Sequence, residues 1–124
     1  MNAIPKSVIL VVDDDLLVRV HSQFALEDAG FEVIEAGNAA DALARLDERP
    51  DIAALFTDTR MPGTLDGVGL ARAVHARRPD ISILVKSSAD DGHELALPDA
   101  AHVVRKPYSA LQLGQMLVRM DSLA

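Results

Sequence analysis

The sequence predicts an α/β fold in which five parallel strands form a doubly wound sheet with helices on both faces. Short apolar runs alternate with helical patterns from one end of the chain to the other, giving five strand–helix units. The runs are continuous and rich in β-branched residues, as is typical of parallel strands buried on both faces. Because crossovers between parallel strands are right-handed, only a few doubly wound strand orders are compatible with this pattern.

The strands are predicted from these apolar runs. In chain order they are Val8 to Val12, Glu32 to Glu35, Ile52 to Thr57, Ile81 to Val85 and Ala101 to Arg105. The first run has the strongest pattern, because it is apolar throughout and stops at three aspartates. The last run has the weakest pattern, and its assignment depends on the regular alternation of the other units.

Helices are predicted where apolar residues recur at helical spacing between a cap and a stop signal. Residues 16–29 carry apolar side chains at positions 16, 17, 20, 24 and 25, and Gly30 is a stop signal. Asn38 is predicted to cap a second helix that ends before Pro50. The side chains that this second helix is expected to direct inward are Ala42, Leu43 and Leu46.

Two further helices follow the third and fifth strands. One is predicted to run from Asp66 or Gly67 to Arg77. The other opens at Ser109, where Gln112 three residues later forms a capping-box pattern. Its expected apolar face consists of Leu111, Leu113, Met116, Leu117 and Met120.

Length and composition limit the classes of function. The 124 residues suit one compact domain, so we expect a single domain over residues 1–124 with no output domain. The net charge of −7 argues against nucleic acid as the main partner. The absence of cysteine excludes disulfides, thiolate metal sites and cysteine nucleophiles. With no signal peptide pattern and no apolar stretch near the ~20 residues of a membrane span, we expect a cytoplasmic protein without membrane contacts.

Chemically active side chains collect where the predicted strands end, which is where doubly wound sheets carry their functional sites. These residues are Asp13, Asp14 and Asp15 after the first strand, Asp58 after the third, Lys86, Ser87 and Ser88 after the fourth, and Arg105, Lys106 and Pro107 after the fifth. Clustered carboxylates repel one another unless a cation lies among them, and hard oxygen ligands at an open site favour Mg²⁺. The ammonium of Lys106 and the hydroxyl of Ser87 can bind phosphoryl oxygens. A carboxylate is a competent nucleophile, so phosphoryl transfer to aspartate is the predicted chemistry.

Other polar residues near these positions are expected to have structural roles. Asp15 is assigned to a helix cap or to solvent. Lys86 and Arg105 flank the site but are expected to point off the other strand face, so neither is included in it. The four histidines share no metal-ligand spacing and are expected to face solvent; they are His21, His75, His93 and His102.

These residues resemble the response-regulator receiver family, of the chemotaxis-regulator type, over nearly the whole chain. The motifs that carry the resemblance are Val11-Val12-Asp13-Asp14-Asp15, Phe56-Thr57-Asp58 with Met61-Pro62 and Asp66-Gly67, Ser87, and Lys106-Pro107-Tyr108. Each motif alone is weak, but in this order and at these strand ends they are highly specific together. The resemblance implies a flavodoxin-like sheet in the strand order 2-1-3-4-5.

The resemblance also implies a phosphoacceptor and a metal site. It implies that Asp58 accepts the phosphoryl group and is a Mg²⁺ ligand. Asp14 would bind Mg²⁺ directly, and Asp13 through water or as the partner of Asp14. The backbone carbonyl of Arg60 would be a further ligand.

The remaining implied roles concern the phosphoryl group and the partners. Lys106 would pair with the phosphoryl group, and Ser87 matches the family's switch residue. The resemblance implies a phosphodonor that is a histidine kinase or a histidine phosphotransfer protein, and a downstream protein target reached by contact. It implies no enzymatic activity beyond phosphorylation and dephosphorylation of Asp58 itself.

Three departures from the family pattern affect the output mechanism. The segment 61–67 is one residue longer than the commoner motif. Val103 stands where many members carry the switch aromatic. The stretch between Ser87 and Lys106 is short, so a helix there is expected to be short or irregular.

Two alternative functions remain open from the sequence. One is a pseudo-receiver that binds partners without phosphorylation, consistent with Val103 and the short segment after Ser87. The other is a phosphohydrolase with Asp13 as nucleophile, suggested by the aspartate run after the first strand. Leu17 does not match the hydrolase motif, and the chain leaves no room for a substrate-closing cap. The position of the acceptor, Asp58 or Asp13, discriminates between a receiver and a hydrolase.

Overall fold

The computed structural model describes residues 7–59, 66–87, 97–98, 101–105 and 109–123. Its strands are Val8–Val12 (β1), Glu32–Ala36 (β2), Ile52–Asp58 (β3), Ser82–Ser87 (β4) and His102–Arg105 (β5), and its helices are Leu16–Asp28 (α1), Ala39–Glu48 (α2), Gly67–Arg77 (α3) and Ala110–Leu123 (α4). All the strand pairs are parallel, and the order is β2-β1-β3-β4-β5. The predicted doubly wound fold and its strand order are therefore confirmed.

Helices cover both faces of the sheet, so the central strands are buried on both sides. On one face α2 and α3 pack against a cluster that includes Leu10, Val12, Leu55, Ile83 and Val85. On the other face α1 and α4 pack against a cluster that includes Ile9, Val11, Phe56, Leu84 and Val104. Every residue of β1 is buried, which explains why its sequence is apolar throughout instead of alternating.

The helix ends follow the capping signals of the sequence. The side chains of Asn38 and Asp66 cap α2 and α3, and each accepts a hydrogen bond from a backbone N–H three residues on. At α4, Ser109 and Gln112 form the predicted capping box with two reciprocal bonds of 3.0 Å. Gly30 has a φ of 101°, so it provides the left-handed turn that ends α1.

The apolar residues that predict α1, and those of the expected apolar face of α4, are not all buried. Leu16, Leu17 and Phe24 of α1 are 59, 79 and 67% exposed, and Leu111 of α4 is 70% exposed. The buried residues of α1 are instead Ser22 and Leu26, which lie one turn apart. Helical periodicity predicts the helix, but apolar residues on more than one side of α1 leave the packed stripe undetermined until the helix is placed against the sheet.

The end of β4 also differs from the prediction. The strand continues through Lys86 and Ser87, so these two residues belong to it and do not follow it. The predictions for the loop at 60–65, for a short helix between Ser87 and Ala101, and for Lys106 to Tyr108 lie outside the described residues, apart from 97–98. None of the helices in the described ranges is long and apolar enough to cross a membrane.

Candidate functional site

The carboxyl ends of three adjacent strands bring together two carboxylates and an ammonium. β1 and β3 pair so that Val12 lies beside Thr57, and the next residues in each strand direction are Asp13 and Asp58. β3 and β4 pair so that Asp58 lies beside Lys86. Because side chains alternate along a strand and paired residues share a face, these three lie on the same side of the sheet.

Lys86 forms a buried ion pair with Asp13. Its Nζ contacts Oδ2 of Asp13, and the two side chains are only 2 and 4% exposed. The ammonium also lies 5.4 Å from the centre of the Phe56 ring, within the range of a cation–π contact. Lys86 is thus a cation enclosed by protein, because its charge meets a carboxylate and an aromatic face and not solvent.

The prediction that Lys86 points away from the site is wrong. The strand pairing makes Lys86 the neighbour of Asp58, so the two side chains share a face of the sheet. One feature of this strand agrees with the corrected position: Lys86 is the single charged residue of Ser82–Ser87, in which positions 83–87 are all buried. A lysine at such a position must have a counter-ion inside the protein. Arg105, excluded for the same reason as Lys86, is exposed on β5.

Asp13 is held by three hydrogen bonds in addition to its contact with Lys86. Its Oδ1 accepts a hydrogen bond of 2.9 Å from the backbone N–H of Asp15. Its backbone N–H donates to the carbonyl of Ala36 on β2, and its carbonyl accepts from Nη1 of Arg19 at 2.8 Å. Both carboxylate oxygens of Asp13 are therefore engaged, and the residue is 3% exposed. Asp15, as predicted, caps α1 and accepts bonds from two backbone N–H groups.

Asp58 occupies a more open position at the end of β3. It is half-buried, and Thr59 Oγ1 lies 3.5 Å from its Oδ1. The hydroxyl of Thr57 donates to the Asp58 carbonyl at 3.0 Å, and the N–H of Thr59 donates to the carbonyl of Lys86 at 3.2 Å. These bonds hold the backbone around Asp58 at the end of β3, while the residue as a whole is only half-buried.

The start of α3 packs directly on this backbone. The N–H of Gly67 donates to the carbonyl of Thr59 at 3.1 Å. A Cβ at position 67 would overlap the carbonyl of Asp58, so only glycine allows this approach. The Asp66-Gly67 pair of the sequence therefore combines a helix cap with a close contact to the predicted phosphoacceptor.

The other predicted site residues are placed as follows. Asp14 is exposed beside Asp13, and Ser87 is 4% exposed at the end of β4. Arg60 and Lys106 lie outside the described residues.

The prediction that the histidines face solvent is confirmed for only some of them. His21 and His102 are exposed as expected, whereas His75 is half-buried, and its Nδ1 is a buried atom without a hydrogen-bond partner in the described structure. His93 lies outside the described residues. No histidine takes part in a group that could hold a metal, as far as the described ranges extend.

The donor chemistry of the site fits Mg²⁺. Mg²⁺ takes one or two carboxylates, keeps several waters and prefers oxygen ligands. Asp13 and Asp58 come directly after the paired residues Val12 and Thr57 of the adjacent strands β1 and β3, and Asp14 is exposed next to Asp13. In the described parts of the chain, no three or more His, Cys, Asp or Glu side chains converge closely enough to form a metal cluster. A site with few protein ligands and an open water shell is consistent with both observations.

The fold and this site define a signalling domain, and the comparisons with known proteins agree. Residues 9–118 match the response regulator receiver domain family, and the chain belongs to that family. The chain is 37% identical to the C4-dicarboxylate transport transcriptional regulatory protein DctD of Rhizobium meliloti over 98% of its own length. It is 41% identical to the transcriptional regulatory protein PrrA of Mycobacterium tuberculosis over 93% of its length.

Among solved structures, the receiver domain of NtrX from Brucella abortus superimposes with a TM-score of 0.84. The identity is 27%, with 94% of this chain and 99% of that chain covered. By contrast, this chain spans only 26% of DctD and 48% of PrrA. The likeness therefore concerns the receiver portion of those regulators.

Family membership establishes a general function. The chain is a response regulator receiver domain of two-component systems. Such domains interact with histidine kinases and downstream effectors, typically bind Mg²⁺ at the phosphorylation site, and are generally signalling domains without enzymatic activity.

Proposed function

We propose that this receiver accepts a phosphoryl group on Asp58 from a histidine kinase or a histidine phosphotransfer protein, with Mg²⁺ as cofactor. The observation that carries the proposal is the position of Asp58, a half-buried carboxylate at the end of a central strand. The signal then passes to a downstream protein by direct contact. Residues 1–124 act as one receiver domain in the cytoplasm, and the net charge of −7 favours protein partners over nucleic acid.

In the proposed reaction, a carboxylate oxygen of Asp58 attacks the phosphorus of a phosphohistidine. The P–N bond breaks, and the imidazole nitrogen keeps the electron pair and takes up a proton. The products are an aspartyl phosphate and a neutral histidine. The hydrogen bonds from Thr57 and Thr59 that hold the strand end keep the nucleophile aligned, which is a large part of what phosphoryl transfer requires.

The other site residues have supporting roles in this proposal. Asp14, Asp13 and the carbonyl of Arg60 would hold Mg²⁺ together with Asp58, and the bound ion offsets negative charge on the phosphoryl oxygens. Lys106 would pair with a second phosphoryl oxygen, and Ser87 would bind a third and report its arrival.

A phosphohydrolase with Asp13 as nucleophile is not supported. Asp13 is 3% exposed, and its two oxygens contact the Lys86 ammonium and the Asp15 N–H. A nucleophile must reach its substrate, and this carboxylate faces protein. Asp58 is the more accessible of the two.

A pseudo-receiver is the second candidate, and one observation favours it. Lys86 already neutralises Asp13 without a metal, as would suit a domain that works without Mg²⁺. Such a domain would bind partners through its surface and would not form an aspartyl phosphate.

The test is the intact mass of the protein after incubation with acetyl phosphate and Mg²⁺. Wild type is expected to gain one phosphoryl group, and Asp58→Asn none. Asp15→Asn is the matched control, because it removes a neighbouring aspartate charge while asparagine preserves the α1 cap. It is expected to be labelled like wild type.

The controls separate the two candidates. Addition of EDTA should abolish labelling of the wild type, since the proposed reaction depends on Mg²⁺. A wild type that folds but gains no phosphoryl group would favour the pseudo-receiver. Labelling that persists in Asp58→Asn would show that another residue is the acceptor and would contradict the proposal.

A further inference from the structure

Lys86 places a positive charge inside the proposed metal site. Its Nζ contacts one oxygen of Asp13, and its Cα lies beside that of Asp58 on the neighbouring strand. Both aspartates are proposed ligands of Mg²⁺. The sheet therefore supplies a cation of its own at the point where an external cation is required.

The position of Lys86 leaves little freedom for its charge to move away. The residue is 2% exposed, and the ammonium lies 5.4 Å from the centre of the Phe56 ring. The backbone of Lys86 is also held in place, because its carbonyl accepts a hydrogen bond from the N–H of Thr59. Since the side chain is buried and its strand end is hydrogen-bonded to β3, we expect the ammonium to stay close to Asp13 when a metal binds.

Two cations that share one carboxylate compete with each other. Each positive charge near Asp13 weakens the net attraction of the site for the other cation, and this effect is large where water is excluded. Conversely, loss of Lys86 would remove the cation that the described part of the chain pairs with the buried Asp13 carboxylate in the metal-free protein. Lys86 thus stabilises the metal-free state and disfavours the metal-bound one.

We propose that Lys86 is a built-in counter-ion of Asp13 that competes with Mg²⁺ and sets a low metal affinity for this receiver. This inference rests on the proposed function, because it assumes that Mg²⁺ binds beside Asp13. Lys86 is a positioning residue here, since it acts on Asp13 and not on the phosphoryl group. A higher Mg²⁺ concentration would then be needed to load the site than in a receiver without this lysine.

The test is calorimetric titration of Mg²⁺ into wild type and Lys86→Met near neutral pH. Methionine keeps a similar length and removes the charge. The variant is expected to bind Mg²⁺ about tenfold more tightly or better, from the loss of one nearby charge in a poorly solvated site. Arg105→Met is the matched control, because it removes an exposed cation from the adjacent strand end, and its affinity should stay within about twofold of wild type.

A second measurement covers the case in which Lys86→Met folds poorly without metal. Lys86→Gln can still donate a hydrogen bond to Asp13 but carries no charge. Its Tm should rise more with added Mg²⁺ than that of wild type, because tighter binding to the folded state raises stability more. Lys86→Arg keeps the charge and should respond like wild type.

The outcomes distinguish this inference from the proposed function. If wild type binds Mg²⁺ and becomes phosphorylated while Lys86→Met and Lys86→Gln bind no more tightly, the role of Lys86 is overturned and the proposed function stands. If neither wild type nor the variants bind Mg²⁺, both are overturned. Tighter binding in Lys86→Met but not in Arg105→Met supports the inference.

Discussion

A methyl group on Gly67 would lie 1.5 Å from the carbonyl oxygen of Asp58, 2.6 Å from its carbonyl carbon and 2.9 Å from the Cα of Thr59. All three atoms are backbone, so relief requires α3 to move away from β3. Forcing an extra methyl into a packed site costs about 1–3 kcal/mol, and the upper end applies where only backbone can move. The Gly67 N–H bond to Thr59 would be lost as well, for about 1 kcal/mol.

Helix propensity acts in the opposite direction but is smaller. Alanine is favoured over glycine in a helix by about 1 kcal/mol. The balance for Gly67→Ala is a loss of about 3 kcal/mol in the free energy of unfolding. Because the displaced atoms belong to Asp58 and Thr59, labelling of Asp58 by acetyl phosphate should fall as well, even under conditions where the variant is fully folded.

Urea unfolding followed by circular dichroism measures the stability loss. Gly114→Ala is the matched control, since Gly114 is also a glycine in a helix, and among the described residues its added Cβ would meet the methyl of Ala29, at 3.1 Å, and no backbone atom. Its stability should stay within about 1 kcal/mol of wild type, because the gain in propensity and the tight contact nearly cancel. If Gly67→Ala were as stable as Gly114→Ala, the close approach of α3 to the strand end would be refuted.

Two further predictions concern the frame around the site. Ser109→Ala removes one half of the α4 capping box with Gln112 and should lower the free energy of unfolding by about 1 kcal/mol. Ser109→Thr should retain most of this stability, because threonine can also cap a helix. Equal losses of stability in the two variants would contradict the capping role of Ser109. Arg49 donates hydrogen bonds to Asp51 and Glu32, and its guanidinium holds the pKa of Asp51 below its ordinary value of 3.8. A carboxyl whose pKa is lower in the folded than in the unfolded protein stabilises the fold at pH values above its unfolded-state pKa. This stabilisation is lost as the pH falls through the folded-state pKa. Wild type should therefore exceed Arg49→Met in stability at neutral pH, and the difference should shrink below pH 3.8; a difference that is unchanged in acid would exclude this cause.

Much of the fold could be predicted because local signals and buried strands agree. Continuous apolar runs such as Val8–Val12 predict strands that are covered on both faces, and the caps at Asn38, Asp66 and Ser109 predict where helices begin. These signals depend on neighbours close in the chain. The packed stripe of α1 could not be predicted in this way, because its apolar residues lie on more than one side of the helix.

The candidate site, too, could be predicted from the sequence only in part. The position of Asp58 and the aspartates 13–15 at strand ends follows from the strand pattern, because parallel strands end at a common edge. The partner of Asp13 does not follow from it. Lys86 lies far from Asp13 in the chain, and their contact depends on which residues of β1, β3 and β4 lie side by side.

The class of fold, the strand and helix signals and the residue types at the carboxyl edge of the sheet could all be predicted from the sequence. The contact of Lys86 with Asp13 in the core, and the contact of α3 with the carbonyl of Asp58 through Gly67, are known only from the three-dimensional packing. The contact of Lys86 depends on strand register. A shift of one residue in β4 would turn Lys86 to the opposite face of the sheet, and the apolar residues 83–85 can be buried on either face, so the local pattern does not exclude that shift.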